Sequence, residues 1–138
     1  VQKSATCNSQ SEILMGFLMA EIESGVEVRA IEKYIGMSPR KVRLITDLVK
    51  GMQVDEALAQ LKFSTKLAAE QVAKAIKSAT ANAEENFALN RKDLYITRIY
   101  ADGGPIRKWR RFGARGRFKP ILKRSAHITV VLGERMEA

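Results

Sequence analysis

The sequence predicts an α+β domain that carries a long basic β-hairpin. Three observations lead there. Apolar residues recur at helical spacing between about residues 39 and 87. They alternate at period two over residues 26–34, 94–101 and 121–132. The charge is concentrated: from Gly103 to Gly133 there is no Asp or Glu, and nine cations stand between Arg107 and Arg124. The chain has 24 basic and 15 acidic residues in 138, a net charge of +9, so those nine account for the whole excess. Like charges packed this closely repel one another unless a polyanion neutralises them. Nucleic acid is the usual one, because binding releases its counterions.

Length and composition suit one modest domain with an appendage, and 46% hydrophobic residues argue against general disorder. The single cysteine, Cys7, can form neither an internal disulfide nor a Cys-x-x-Cys site, which fits a reducing compartment. No apolar run approaches the ~20 residues of a membrane span. The longest, Ile13 to Ala20, is followed by Glu21 and Glu23 without a small-residue cleavage pattern. The chain begins with Val, which points to a trimmed N-terminus.

Residues 1–10 are polar and without period, and read as a disordered or docking tail. Over residues 11–23, Ile13, Leu14, Phe17, Leu18 and Ile22 share a helical stripe, with Ser11 as N-cap. The polar face of that stripe is acidic, so it suits a protein partner or the domain better than a membrane. Val26, Val28 and Ala30 then alternate with Glu27 and Arg29, a half-buried strand running to about Tyr34 and broken by Gly36.

Ser38-Pro39 marks a helix start, with Ser as cap and Pro where no amide is needed. Val42, Ile45 and Val49 follow at helical spacing, and Gly51 ends the run. Arg40, Lys41 and Arg43 crowd the first turns, against the helix dipole. Charges placed where folding alone would not put them read better as phosphate ligands, assisted by the helix amides, than as a solvated face. A short helix opened by Asp55 and Glu56 runs to Leu61. Ser64 is the expected cap of a long helix from about Thr65 to Asn86. Its buried stripe is Ala68, Val72, Ala75, Ile76, Ala79, Ala83 and Phe87, with a Glu70–Lys74 pair in the favourable order. Adjacent Glu84 and Glu85 do not face each other and read as a solvated end.

From Leu94 to Ala101, Leu94, Ile96 and Arg98 fall on one side and Tyr95, Thr97 and Ile99 on the other. A second strand reads through from Ile121 to Leu132, with Ile128, Val130 and Leu132 on one face. Two arms that flank a cationic centre make an extended antiparallel hairpin, apolar at the domain and basic at the far end. Its centre, Arg110 to Arg117, is too polar to bury a core. Gly113 and Gly116 permit positive φ and close backbone approach. Arginine forks onto phosphate or stacks on bases. Trp109 and Phe112 offer stacking surfaces to bases, or pack on the hairpin stem or on another protein.

The chain has one histidine, His127, in a strand, where a hydrogen-bonded structural role is the ordinary one; it also lies near Lys123 and Arg124 and so near any RNA. No Cys/His ligand set, phosphate-cradling Gly-rich loop or nucleophile–base pair stands out, so neither catalysis, a metal nor a cofactor is expected. A free DNA-binding protein would place its charge maximum on a recognition helix and show a dimer seam. A metal-dependent nuclease would set carboxylates near the basic segment. The chain does neither.

Met37-Ser38-Pro39-Arg40-Lys41-Val42-Arg43, then Asn82-Ala83-Glu84, then Gly116-Arg117 followed by His127-Ile128-Thr129-Val130-Val131 resemble the bacterial-type large-subunit ribosomal protein L22 family, from about Val26 to Leu132. The resemblance implies three helices packed with a three-stranded antiparallel sheet, in a domain over 26–138 whose hairpin spans about 94–132. Residues 1–25 are an extension. It further implies a structural protein that binds large-subunit rRNA, stabilises its fold and lines the polypeptide exit tunnel with the hairpin. Its partners would be rRNA, neighbouring ribosomal proteins and the nascent polypeptide, with no membrane and no DNA. The implied rRNA-binding residues are Ser38, Arg40, Lys41, Arg43, Arg107, Lys108, Arg110, Arg111, Arg115, Arg117, Lys119, Lys123, Arg124 and His127. The implied tip is Trp109, Phe112, Gly113, Ala114 and Gly116. Gly113 stands where the family usually has a basic residue, and Ser125-Ala126 where it often has a polar pair. The extension and the missing Met favour a mitochondrial ribosome, with bacterial cytoplasm or plastid as the alternative.

Overall fold

The protein, seen in a computed structural model, is described over residues 26–134. The tail and helix expected over residues 1–23 lie outside that range. β1 (Glu27–Ile35) is followed by three helices, α1 (Pro39–Val49), α2 (Val54–Phe63) and α3 (Leu67–Phe87). The chain then runs through β2 (Leu94–Gly103), β3 (Arg107–Phe112), β4 (Phe118–Lys123) and β5 (Ala126–Glu134). The sheet is antiparallel in the order β1-β5-β2, and β3 and β4 form a separate two-stranded ribbon. Three helices on a three-stranded sheet with a projecting hairpin is the α+β architecture that the sequence predicts.

The helical stripes fall where the 3.6-residue spacing puts them. Val42, Ile45 and Val49 of α1 are fully buried, as are Val72, Ile76, Ala79 and Ala83 of α3. The alanines let α3 lie close to the sheet, where Ile128, Val130 and Leu132 of β5 complete the core.

Helix ends differ from expectation. Ser38 occupies the N-cap of α1, but its hydroxyl makes no capping bond. Ser64 does not cap α3; it closes α2, its amide donating to the Leu61 carbonyl at 3.2 Å, and α3 starts only at Leu67. Phe87 is half exposed, because α3 ends there and Ala88 turns left-handed (φ 52°). Lys74 pairs with Glu32 of β1 at 3.7 Å rather than with Glu70, since the strand lies beside the helix.

Two bulges break the period-two pattern. Ile96 faces Leu132 while Arg98 faces Val131, so Thr97 is the extra residue. Beyond it the faces exchange: Ile99 and Ala101 are buried and Arg98 is exposed, the reverse of strict alternation. On β1, Glu32 faces Ile128 but Ile35 faces Ala126, leaving Lys33 and Tyr34 against the single residue His127. Tyr34 takes φ 62°, which is uncommon for a residue with a side chain.

The hairpin is two-tiered. The strand expected to read through from Ile121 to Leu132 breaks at Arg124 and Ser125, and its partner breaks from Gly104 to Ile106. The break is held: the Gly104 amide donates to the Ser125 carbonyl at 2.9 Å, and the Ser125 hydroxyl to the Pro105 carbonyl at 2.7 Å. A Cβ on Gly104 would lie 2.5 Å from the Ser125 hydroxyl, so a larger residue would displace the side chain that helps close the break.

Ile128 is fully buried, whereas Ile121 in the ribbon is 42% exposed. Ile128→Ala should therefore cost about 2–5 kcal/mol and Ile121→Ala less than about 0.5 kcal/mol. Urea denaturation of the two variants measures the difference.

Candidate nucleic-acid interface

Every side chain of β3 and β4 is exposed. Cross-strand partners share a face, so the register divides the ribbon. Arg107–Lys123, Trp109–Ile121 and Arg111–Lys119 form one face, with four cations. Lys108–Leu122, Arg110–Pro120 and Phe112–Phe118 form the other, with two cations and four apolar residues. Pro120 is tolerated because a two-stranded ribbon leaves outward amide positions unpaired.

The aromatics are partly occupied within the arm. The Lys123 ammonium lies 4.4 Å from the Trp109 ring centre, and the Phe112 and Phe118 rings are 5.1 Å apart. Arg110 sits 5.9 Å over Phe118. Trp109 nonetheless keeps 57% of its surface exposed and Phe112 78%. Packing on the stem therefore leaves more than half of the surface of each residue open.

At the tip the Gly113 amide donates to the Arg117 carbonyl at 2.7 Å, around a turn at Ala114–Gly116. The two glycines serve different needs. Gly116 has φ +71°; Gly113 is extended, and a Cβ there would meet the Arg117 carbonyl at 3.0 Å. The second left-handed position falls on Arg115, φ 56°, and not on Gly113.

The body cluster divides. Arg40 and Lys41 are exposed. Arg43 is engaged: its Nε donates to the Ala101 carbonyl of β2 at 3.0 Å, fastening α1 to the sheet. His127 is also engaged, because its Nδ1 accepts the amide that the β1 bulge turns out at Tyr34, at 2.9 Å, with the Tyr34 ring edge-on. This is the structural role ordinary for a strand histidine.

The structure brings Ser38 and Lys41 of the body together with Lys123 and Arg124 at the root of the arm, around one groove of about 700 Å³. The tip cations Arg115 and Arg117 are not part of it. Lys66, at the start of α3, joins the groove and was not among the expected ligands. It lies on no motif, and only its place before a helix stripe hints at it.

Residues 30–133 match the family model for ribosomal protein L22p/L17e. The chain belongs to that family. It is 54% identical over 109 residues to the large ribosomal subunit protein uL22 of Dehalococcoides mccartyi strain CBDB1, covering 79% of this chain and all of that protein. It is 48% identical over 112 residues to uL22 of Chloroflexus aggregans, covering 81% and 99% of the two chains. For uL22 of Clostridium novyi the figures are 52% over 110 residues, 80% and 99%. These relatives are bacterial. They favour the bacterial alternative and lend no support to the mitochondrial assignment that the extension suggested.

Arg43→Met should lower stability by about 0.5–1 kcal/mol, as expected for a half-exposed charged donor whose carbonyl partner is left behind. Arg40→Met should change it by less than about 0.5 kcal/mol. Chemical denaturation of both variants distinguishes a structural arginine from a free one.

Proposed function

We propose that this chain is a structural constituent of the large ribosomal subunit in a bacterium, binding large-subunit rRNA, stabilising its tertiary fold and lining the polypeptide exit tunnel with its hairpin. The observation that carries the reading is the exposed, acid-free arm. Six of its nine cations stand on a ribbon with no core of its own and the other three at its tip and root, which makes sense only against a polyanion. Membership of a ribosomal protein family supports it, as does the naming of the relatives as large-subunit proteins. The partners on this reading are rRNA, neighbouring ribosomal proteins and, at the tip, the nascent chain. The role is architectural and not enzymatic.

Within that reading the working domain spans residues 26–138 and residues 1–25 are an extension. Arg40 and Lys41 meet rRNA at the body, and Arg107, Lys108, Arg110, Arg111, Lys119, Lys123 and Arg124 meet it along the arm. Arg115 and Arg117, with Gly113, Ala114 and Gly116, form the end that approaches the tunnel. Contacts fall mostly on phosphate and shape, because A-form grooves hide base edges. Arg43 and His127 contribute by holding α1 and β1 in place.

Replacing Arg110, Arg111, Arg115 and Arg117 with Gln should reduce the log–log salt slope of rRNA-fragment binding by roughly 0.7–0.9 for each phosphate that is no longer neutralised. An unchanged slope in a filter-binding titration would show that these guanidiniums do not engage phosphate.

The body and the tip should separate in assembly. Deleting Gly113–Arg117 should leave occupancy in purified large subunits near normal while altering chemical reactivity of tunnel RNA. Arg40→Glu with Lys41→Glu should reduce occupancy, since reversal adds repulsion to the attraction it removes. The opposite pattern of occupancies would refute this division.

A further inference from the structure

The groove at the root of the arm differs in chemistry from the rest of the basic surface. Its floor is apolar: Met37, Leu44, Leu67 and Leu122 line it, and Leu44, Leu67 and Leu122 keep 56%, 69% and 42% of their surface exposed. Its rim carries four cations, Lys41, Lys66, Lys123 and Arg124, and no acid lines it. Apolar side chains left open to solvent between two elements are unfavourable unless something covers them. A duplex backbone would use the cations and leave the floor uncovered. A basic peptide would cover the floor and meet four like charges. The volume, about 700 Å³, is that of a small-molecule cleft.

We propose that this groove receives one unstacked nucleotide of RNA, its base laid on Leu44, Leu67 and Leu122 and its flanking phosphates held by Lys41, Lys66, Lys123 and Arg124. An extruded base has an apolar face and a negatively charged backbone on either side, which matches an apolar floor inside a cationic rim. The starts of α1 and α3 both open on the groove, and neither carries a side-chain cap, so no side chain competes with the backbone of the RNA there. Because the floor joins the body to the arm through Leu122, a base seated there would also fix the direction of the arm. The inference rests on the RNA-binding reading and adds to it a single-nucleotide site.

The test uses the full chain and two RNA duplexes, identical except that one carries a single extruded 2-aminopurine. The bulged duplex should bind about three- to ten-fold more tightly, somewhat less than a full aromatic stack provides. Leu44→Ser with Leu67→Ser and Leu122→Ser should abolish that preference and leave binding of the flush duplex unchanged. Methyl resonances of Leu44, Leu67 and Leu122 in the unaltered protein should shift with the bulged duplex only, which decides the matter even if the triple variant does not fold. Equal affinity for the two duplexes without methyl shifts would overturn the single-nucleotide site and leave the RNA-binding reading standing. Binding to neither duplex would overturn both. Methyl shifts with an acidic, leucine-bearing peptide but with neither RNA would make the groove a protein site and refute the proposal.

Discussion

The position of β5 is the constraint on which the rest depends. Among the described residues it is the last strand in sequence, and it is the middle strand of the sheet, paired with β1 on one side and β2 on the other. Both pairings are non-local, and they can form only after three helices and the whole arm have been laid down. The arm grows from β2 and β5, so its roots are an edge and the centre of the same sheet. An arm without a core, with nine like charges along it and at its root, cannot hold a direction by its own interactions. The direction comes from the buried strand at its base, where Ile128, Val130 and Leu132 are sealed under α3.

Local irregularities then aim the arm. The Thr97 bulge, near the start of β2, shifts which side of the strand faces the core, so that Ile99 and Ala101 are buried as the strand runs on toward the arm. Across β5, the bulge at Tyr34 frees an amide that would be unpaired, and His127 accepts it. The break at Gly104 and Ser125 is closed by two hydrogen bonds, so the two tiers are joined by a bonded step and not by loose chain. The edge of β2 is covered as well: Gly51 donates to the Ile96 carbonyl, the Ile96 amide donates to Met52, and Arg43 takes the Ala101 carbonyl. Those bonds protect an edge strand that would otherwise invite pairing with another chain.

Most of this fold was legible because its signals are local. Ser38-Pro39 starts a helix whatever lies around it, and the alanine stripe of α3 needs only its own periodicity. The features that were not legible depend on partners distant in sequence. Nothing in Leu94–Ala101 announces that Thr97 will be unpaired, because the bulge is defined by Leu132 and Val131 on another strand. Glu70–Lys74 is a sound local pair, yet Glu32 on β1 is the partner the tertiary fold supplies. Ser64 looks like a cap by type, but the chain needs further residues to turn from α2 into α3. For the candidate site, the cations were visible as a run, while the apolar floor was not. Leu44, Leu67 and Leu122 come from three separate elements, and only folding places them together.

The register of the ribbon sorts its side chains by chemistry. A random basic tail would present its charge in all directions. Here the pairing of Arg107 with Lys123 and Arg111 with Lys119 gathers four cations on one face, and the pairing of Lys108 with Leu122 and Phe112 with Phe118 gathers most of the apolar residues on the other. A one-residue slip of β4 would turn its side chains to the opposite face and mix the two sets, so the tight turn at Gly113–Gly116 sets more than the length of the arm. It sets which side carries the charge. At the root, Lys123 and Leu122 reach the groove from opposite faces of that same strand. On the proposed reading, the arm therefore offers phosphate a charged side along its length and offers the body an apolar edge where it departs. This arrangement lets one polyanion bind both without the arm first having to fold against a core.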